Sequence, residues 1–412
     1  MSGFLDIPGA KANDVASKAP INSPAFTGTP TGITKAHVGL SNVDNTADAN
    51  KPVSTAQQAA INAVSPATTL VEGVPVTVYG NSYTVSPPLS GRANLDHPTR
   101  AANRLRMGTA TKNGVGGSVA NHVFFDANSN VSGAAPSHQW VPGNNKGLVI
   151  FEETINDVVT FGSSAAAQDN YREALRGLVE LWRTGTRVPA TDASITYAGT
   201  WGVGVTGYHQ GGGKRATASG STATFTFTGT EIVVWINTSG SGTTPSVTIK
   251  EGTTTLATVT TTGRMQPYDA PGVVGTSTSV GACAIRIKNL TAGSHTFVLT
   301  TSGTGSLFFD GYSLPATKPP QIIFVKEGAI SSYAPNGSAA LHATYNQILL
   351  DVAAEYPSIV TVADPGANWD SSCLYMGDGT GNHPNDKGHA VLADAVVAAV
   401  KTLGYKDGMH IL

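Results

Sequence analysis

Cysteine, charge and long apolar runs are all scarce in this sequence. Only 2 of the 412 residues are cysteine, and Cys283 and Cys373 form no C-x-x-C pair, so they cannot build a zinc site by themselves and are expected as small buried side chains. Charged residues make up 13% of the chain, the formal net charge is -2, and no run of lysine or arginine stands out. We therefore expect no nucleic-acid partner. No apolar stretch approaches the length that spans a membrane, so membrane insertion is not predicted either.

Glycine and proline, in contrast, are plentiful, with 47 and 23 residues. This composition is typical of turn-rich β structure joined to an α/β unit. A chain of 412 residues is expected to divide into two or three units. The sequence pattern separates four segments, which are residues 1–68, 69–187, 188–317 and 318–412.

Residues 1–68 contain few large apolar side chains, so they cannot bury a core alone. Within them, residues 39–58 (GLSNVDNTADANKPVSTAQQ) closely resemble a segment of bacteriophage tail fibres and tail proteins. The resemblance implies an extended N-terminal stalk that attaches to other phage tail proteins and intertwines in a homotrimer. It also implies a place in the virion, at the tail fibre or tail tip. The first residues lack the basic and apolar regions of a signal peptide, so we expect synthesis in the host cytoplasm.

Strand-like and helix-like segments alternate on both sides of residues 188–317. The predicted strands are residues 74–79, 147–152, 321–325 and 359–362, and the predicted helices are residues 169–182, 342–356 and 389–403. Such alternation predicts a parallel sheet with helices on both faces.

Residues 188–317 show short alternating strands between Gly-rich turns, which predicts an inserted all-β sandwich. The run 290–297, followed by 309–311, resembles jelly-roll modules of the carbohydrate-binding kind. Trp201, Tyr208 and Tyr268 are candidates to stack on sugar rings there, the alternative being that they fill the sandwich core. We expect this segment to pack close to the α/β unit and to overhang the cleft at its strand ends.

Ser82 and His383 are the candidates for a nucleophilic serine and the base that activates it. Ser82 follows a predicted strand in the sharp turn Gly80-Asn81-Ser82, where a hydroxyl is exposed at the carboxyl end of a parallel sheet. The alternative is a serine that caps the next helix. His383 lies on a Gly-rich loop before the last helix, and Pro384 fixes the backbone after it. A solvated loop histidine is the alternative.

Together these residues resemble the SGNH (GDSL) hydrolase family, because four blocks agree in order. The blocks are residues 80–84, 113–118, 154–157 and 383–384. The resemblance implies a three-layer, flavodoxin-like hydrolase domain over residues 69–187 and 318–412. It implies Ser82 as nucleophile, His383 as base, and an oxyanion hole from the Gly117 amide and the Asn156 side chain, with no metal or organic cofactor.

The chain departs from the family pattern in three places. Asn81 and Thr154 replace an Asp and a Gly. The family's acid lies three residues before the histidine, where this chain has Thr380, whereas Asp378 lies five before. We expect Asp378 to orient His383, with a Ser-His dyad or a backbone carbonyl as the alternatives. Asp386 and His389 are expected to cap the last helix and to be solvated.

The family resemblance and the stalk segment together predict a serine esterase that deacetylates bacterial surface polysaccharide during adsorption. Its partner would be a bacterial surface glycan or another acylated host receptor. One alternative is a receptor-binding protein that uses the hydrolase fold only to bind. Another is a lipase or thioesterase, which no long apolar lid segment favours.

Overall fold

The computed structural model describes residues 73–85, 95–128, 140, 147–203, 213–239, 246–260, 280–303, 305–378 and 381–403. The chain divides into two units, Met1–Pro66 and Ala67–Leu412, and the described residues all belong to the second. The expected stalk (1–68), Tyr208 and Tyr268 lie outside the described residues.

The described part is a mixed α/β structure with several sheets. In chain order its elements are β1 (Val76–Gly80), α1 (Ser82–Val85), α2 (His97–Arg104), β2 (Ala110–Gly114), α3 (Ala120–Asn128), β3 (Leu148–Glu152), α4 (Ile155–Phe161), α5 (Ala165–Trp182), β4 (Thr184–Pro189), β5 (Thr196–Ala198), β6 (Trp201–Val203), β7 (Lys214–Ala216), β8 (Thr222–Gly229), β9 (Ile232–Ser239), β10 (Ser246–Glu251), β11 (Thr254–Thr260), β12 (Val280–Ile287), β13 (Gly293–Ser302), β14 (Leu307–Pro315), β15 (Gln321–Val325), α6 (Ala339–Glu355), β16 (Val360–Ala363), β17 (Leu374–Tyr375), β18 (His383–Pro384) and α7 (Asp386–Thr402).

A five-stranded sheet has the order β16-β15-β3-β1-β2, and every pair in it is parallel. Successive side chains of each strand point to opposite faces. On β3, Leu148 and Ile150 join a buried cluster with α2 and α7, whereas Val149 and Phe151 join another with α3, α5 and α6. Helices therefore cover both faces of the sheet, and its apolar strands are buried on both sides.

Three helices begin three or four residues before their predicted starts. The side-chain oxygens of Ser164, Ser338 and Asn385 accept backbone N–H bonds and cap α5, α6 and α7. The apolar periodicity of each helix starts only after this first turn, so the periodicity alone places the start too late. In the described ranges no helix is long and apolar enough to cross a membrane.

The described residues between 184 and 315 form two antiparallel sheets. Their orders are β11-β10-β13-β8-β5 and β12-β9-β14-β7-β6, with β4 paired to β14, and residues of both sheets share one apolar cluster. Trp201 packs against this cluster, and its ring lies 4.9 Å from that of Tyr197. Trp201 is thus partly used for packing, as in the alternative reading of its role.

The two antiparallel sheets are attached at one edge of the parallel sheet. β4 pairs with β14, so the chain enters and leaves through neighbouring strands. α5 runs back from the carboxyl end of β3, so β4 starts near the amino ends of the parallel strands. β14 leads into the amino end of β15, so both junctions lie at the amino ends of the parallel strands. Ser82 follows the carboxyl end of β1, at the opposite edge. This attachment gives no support to the expected overhang of the cleft.

Candidate active site

The Ser82 turn depends on a close approach that only glycine allows. A Cβ atom on Gly80 would lie 2.4 Å from the Glu152 carbonyl oxygen and 2.5 Å from Thr84 Oγ1. The chain can therefore turn sharply at the end of β1, and Ser82 begins the short helix α1 with its side chain half-buried. A hydroxyl is thus presented at the carboxyl edge of the parallel sheet.

The structure brings Ser82 and His383 together. His383 Nε2 lies 3.0 Å from Ser82 Oγ, within hydrogen-bond distance. In this geometry the imidazole can accept the serine proton.

The residue after the serine holds the histidine loop. Tyr83 Oη donates a hydrogen bond to the Asn382 carbonyl oxygen at 2.6 Å, and the Tyr83 and His383 rings lie 6.1 Å apart. From the other side, Tyr375 in β17 pairs with His383 in β18. The imidazole is therefore positioned by two independent backbone anchors.

Asp378 ends a short 3-10 helix, Met376–Asp378. Its side chain lies outside the described residues, and so do Gly379 and Thr380. A triad with Asp378, a dyad and a backbone carbonyl partner therefore stay predictions.

Of the two predicted oxyanion residues, Gly117 lies in the turn after β2 and Asn156 lies in the first turn of α4. Gly117 has φ +75°, and nothing lies within 4 Å of the place where its Cβ would be. The next residue, Ser118, accepts a hydrogen bond at its carbonyl oxygen from Asn156 Nδ2 at 2.8 Å. Ser118 Oγ in turn donates to the Gly80 carbonyl oxygen at 3.2 Å. The first three family-like blocks therefore meet at one edge of the sheet.

Beneath the Ser82 turn lies a cluster of buried carboxyl groups that the sequence reasoning missed. Its members are each 1% exposed or less and are Glu152, Glu153, Asp157 and Glu327. Asn81 Nδ2 donates to Glu327 Oε1 at 2.7 Å and to Glu153 Oε1 at 3.2 Å, while its Oδ1 accepts from the Tyr83 N–H at 2.8 Å. Asn81 thus supplies donors where the family's Asp would add another carboxylate.

Glu327 joins the nucleophile turn to the helix that carries Asn156. One carboxyl oxygen accepts from Asn81, and the other accepts from the Ile155 N–H at 2.6 Å. Asp157 Oδ2 likewise accepts from the Ala120 N–H at 2.9 Å, at the start of α3. Each carboxyl group therefore connects separate segments around the site.

Burial raises the pKa of these acids. The pKa of Glu327 rises to about 7, and that of Asp157 to about 8, through desolvation, with the nearby Glu327 charge also raising the Asp157 value. Burial and the charge of Glu327 raise the pKa values of Glu152 and Glu153 well above their usual range. Glu152 ends β3, Glu153 comes next, and Glu327 lies two residues after β15, so a position at strand ends was the available signal.

His389 is buried rather than solvated, which corrects the expectation. Its Nδ1 accepts from the His97 N–H at 3.3 Å, and the two rings stack with centroids 5.7 Å apart. Burial lowers the pKa of His389 to about 4. The cap of α7 is Asn385, whose Oδ1 accepts from the Gly388 N–H at 3.0 Å, whereas Asp386 pairs with Arg100. His389 is therefore buried, whereas Asp386 is exposed as expected but does not cap the helix.

Within the described ranges no three His, Cys, Asp or Glu side chains are arranged to hold a metal ion. Cys373 is buried with a free thiol, whereas the side chain of Cys283 lies outside the described residues.

Comparison with family models finds no match, and comparison with curated proteins finds none either. Among solved structures, a two-domain esterase active on acetylated mannans is similar over 63% of this chain and 95% of its own, at 10% identity and a TM-score of 0.30. The porcine torovirus hemagglutinin-esterase is similar over 80% of this chain and 89% of its own, at 11% identity and a TM-score of 0.38. A CBM36-1 domain of a xylanase from the hindgut metagenome of Trinervitermes trinervoides covers 32% of this chain and 97% of its own, at 18% identity and a TM-score of 0.23.

Proposed function

We propose that this chain is a serine esterase of the SGNH type. The observation that supports it best is the 3.0 Å contact between Ser82 Oγ and His383 Nε2 at the carboxyl edge of a parallel sheet. The same proposal includes the detailed fold, which is a three-layer, flavodoxin-like hydrolase domain with an inserted jelly-roll-like sandwich.

The proposed mechanism assigns each step to a residue. His383 takes the Ser82 proton as Ser82 Oγ attacks the ester carbonyl carbon, and the oxyanion accepts hydrogen bonds from the Ser82 and Gly117 amides and the Asn156 side chain. Collapse of this intermediate breaks the ester C–O bond, and His383 gives its proton to the leaving alcohol. His383 then removes a proton from water as the water oxygen attacks the acyl-enzyme carbonyl. Collapse of this second intermediate breaks the bond between Ser82 Oγ and the acyl carbon, and His383 returns the proton to Ser82 Oγ as the acid leaves.

We further propose O-acetylated bacterial surface polysaccharide as the substrate. The support is the likeness of residues 39–58 to phage tail proteins and of residues 290–297 to carbohydrate-binding modules. On this proposal the chain works in the virion tail as a homotrimer, bound to other tail proteins through residues 1–68.

A second candidate is a receptor-binding protein without catalysis. The observation that favours it is Thr380, which stands where the family pattern has its acid. Loss of a triad acid lowers turnover by orders of magnitude in serine hydrolases. On this reading the site would bind an acylated glycan and not hydrolyse it.

The test is hydrolysis of 4-nitrophenyl acetate and of acetylated polysaccharide by the full chain. Ser82→Ala and His383→Ala should each lower kcat by about 10⁴- to 10⁶-fold with the unfolding temperature preserved. Ser194→Ala, at an exposed serine of the antiparallel region, is the matched control and should hydrolyse at the wild-type rate. If Ser82→Ala is as active as wild type, the assignment of Ser82 as the nucleophile is wrong. If the wild type shows no turnover but binds acetylated glycan, the second candidate is favoured.

A further inference from the structure

A cavity lies at the carboxyl ends of the parallel strands, the same end of the sheet as Ser82. Its volume is about 520 Å³, and it is formed by the segments that follow β15 and β16 together with one side of α6. Cavities of roughly 300 to 1,000 Å³ are the usual size of small-molecule sites. None of the family-like blocks contributes to it.

The strand order places this cavity beside the proposed active site. β15 and β16 are two and three strands away from β1. Because neighbouring strands lie about 4.8 Å apart, the cavity is roughly 10 to 15 Å along the edge from Ser82. Glu327 lines the cavity and also accepts the hydrogen bond from Asn81, so the two sites share a wall.

One wall of the cavity is the indole ring of Trp369. The ring packs on Gly328, where an added Cβ would lie 2.2 Å from a ring atom, and its Nε1 donates to the Ala329 carbonyl oxygen at 2.8 Å. The side chain is half-buried. A rigid aromatic surface is therefore held at the cavity wall.

The opposite wall carries an ordered polar chain. His342, 4% exposed, is neutral at physiological pH because burial lowers its pKa to about 4. Its Nε2 lies 3.2 Å from Asn346 Nδ2, which can only donate, so Nε2 accepts and Nδ1 carries the proton. Nδ1 then donates to Tyr333 Oη at 2.9 Å.

This chain leaves one acceptor unused. Asn346 is 6% exposed, and its Oδ1 is buried without a hydrogen-bond partner among the described residues. A buried acceptor of this kind needs a donor. Because Asn346 lines the cavity, a hydroxyl group bound there can supply that donor.

Charged side chains of both signs line the cavity. Lys326 Nζ and Asp364 Oδ2 lie 2.8 Å apart at its rim. An anionic ligand would meet Asp364 and Glu327, and a cationic one would meet Lys326. The lining therefore favours a neutral ligand with several hydroxyl groups.

We infer that this cavity is a subsite for a neutral sugar unit of the polymer whose ester group reaches Ser82. The inference rests on the proposed function for its substrate. One face of the sugar ring packs on Trp369, and its hydroxyl groups donate to Asn346 Oδ1 and accept from Lys326. The subsite binds a sugar unit near the one that is deacetylated, and so selects polymers over small esters.

The first test is kinetic and compares an acetylated oligosaccharide with 4-nitrophenyl acetate for each variant. Trp369→Ala and Asn346→Leu should lower kcat/KM for the oligosaccharide about tenfold more than for the small ester, mostly through KM. Leu256→Ala is the control, since it removes a half-buried apolar side chain at the antiparallel sheets, and should change both substrates equally. Equal losses on both substrates for Trp369→Ala and Asn346→Leu overturn the subsite.

The second test does not depend on hydrolysis. Crystals of the full-length Ser82→Ala chain are soaked with glucose, mannose, galactose and N-acetylglucosamine, and a sugar against Trp369 supports the subsite. Sugars found only elsewhere, or none, overturn it. If a sugar binds against Trp369 in these crystals but the wild-type chain has no esterase activity, the proposed function alone is refuted. The subsite alone is refuted if the wild type hydrolyses acetylated oligosaccharide, no sugar binds in the cavity, and the variants lose activity equally on the oligosaccharide and the small ester.

Discussion

The buried carboxyl cluster makes Asn81 a sensitive position. Asn81→Asp keeps the acceptor for the Tyr83 N–H but replaces the amide that donates to Glu153 and Glu327. A buried acceptor that loses its donor costs about 1 to 3 kcal/mol. Two such losses amount to about 2 to 6 kcal/mol, a large part of the roughly 5 to 15 kcal/mol that stabilises a domain.

The cost should depend on pH. At pH 5 the introduced carboxyl can hold a proton and donate one of the two bonds, so the lower end of that range is expected. At pH 8, ionisation would place like charges about 3 Å apart, which is worth about 5 kcal/mol at an effective dielectric constant of about 20. The Asn81→Asp chain should therefore lose more stability at pH 8 than at pH 5, relative to wild type at the same pH.

The assay is urea unfolding at both pH values, with kcat on 4-nitrophenyl acetate measured in parallel. The matched control is Asn81→Asp combined with Glu153→Gln, because the new amide of residue 153 can donate to the new carboxylate. This double variant should regain at least half of the lost stability. Wild-type stability of Asn81→Asp at pH 8 would refute the donor role of Asn81, and a double variant no better than Asn81→Asp would refute Glu153 as its partner.

Three further predictions concern other parts of the chain. If Asp378 orients His383, Asp378→Asn should lower kcat at least about 100-fold, and a fall of less than about threefold would favour the dyad. The pKa values of Glu327 and Asp157 are raised, so the folded state holds protons that the unfolded state releases, and their contribution to stability is complete below about pH 4 and is lost as pH rises to about 8. The urea midpoint of the wild type should therefore fall over this range, and that of Glu327→Gln should fall less. A wild-type midpoint that does not fall, or one that falls more in Glu327→Gln, would contradict this. Light scattering on the full-length chain should give the mass of a trimer, and a monomer mass would count against the stalk.

The sequence predicts four of the five strands of the parallel sheet, of which the central ones are apolar and buried on both faces, but not the edge strand β2, whose side chains are mostly half-buried or exposed. Residues 147–152 and 321–325 are continuous apolar runs, and the observed strands β3 and β15 fall within one residue of them. The sequence reasoning did not find α2, whose eight residues, HPTRAANR, include few apolar side chains. Its packing is decided by the tertiary neighbours in α7 rather than by its own pattern.

In the candidate site, too, some residues can be predicted from the sequence and others cannot. Ser82 and His383 stand in motifs with defined spacing, so the sequence alone places them at a common edge. Glu327 and His389 carry no such signal, since charged or polar side chains of these types are ordinarily solvated. Their burial depends on chain segments far away in the sequence, which local reasoning does not see.

The hydrogen bond between Tyr83 and the Asn382 carbonyl has a consequence for biosynthesis. The proposed nucleophile and its base are separated by 301 residues, and the segment that carries the base is among the last of the described residues to be made. At roughly 5 to 20 residues per second, a ribosome needs about 15 to 60 s to pass from one to the other. During that time the nascent chain has a complete serine turn and no general base. If the proposed function holds, hydrolytic activity should arise only after β18 has been made and docks on Tyr83, and a chain cut short within the antiparallel sheets should be inert toward esters.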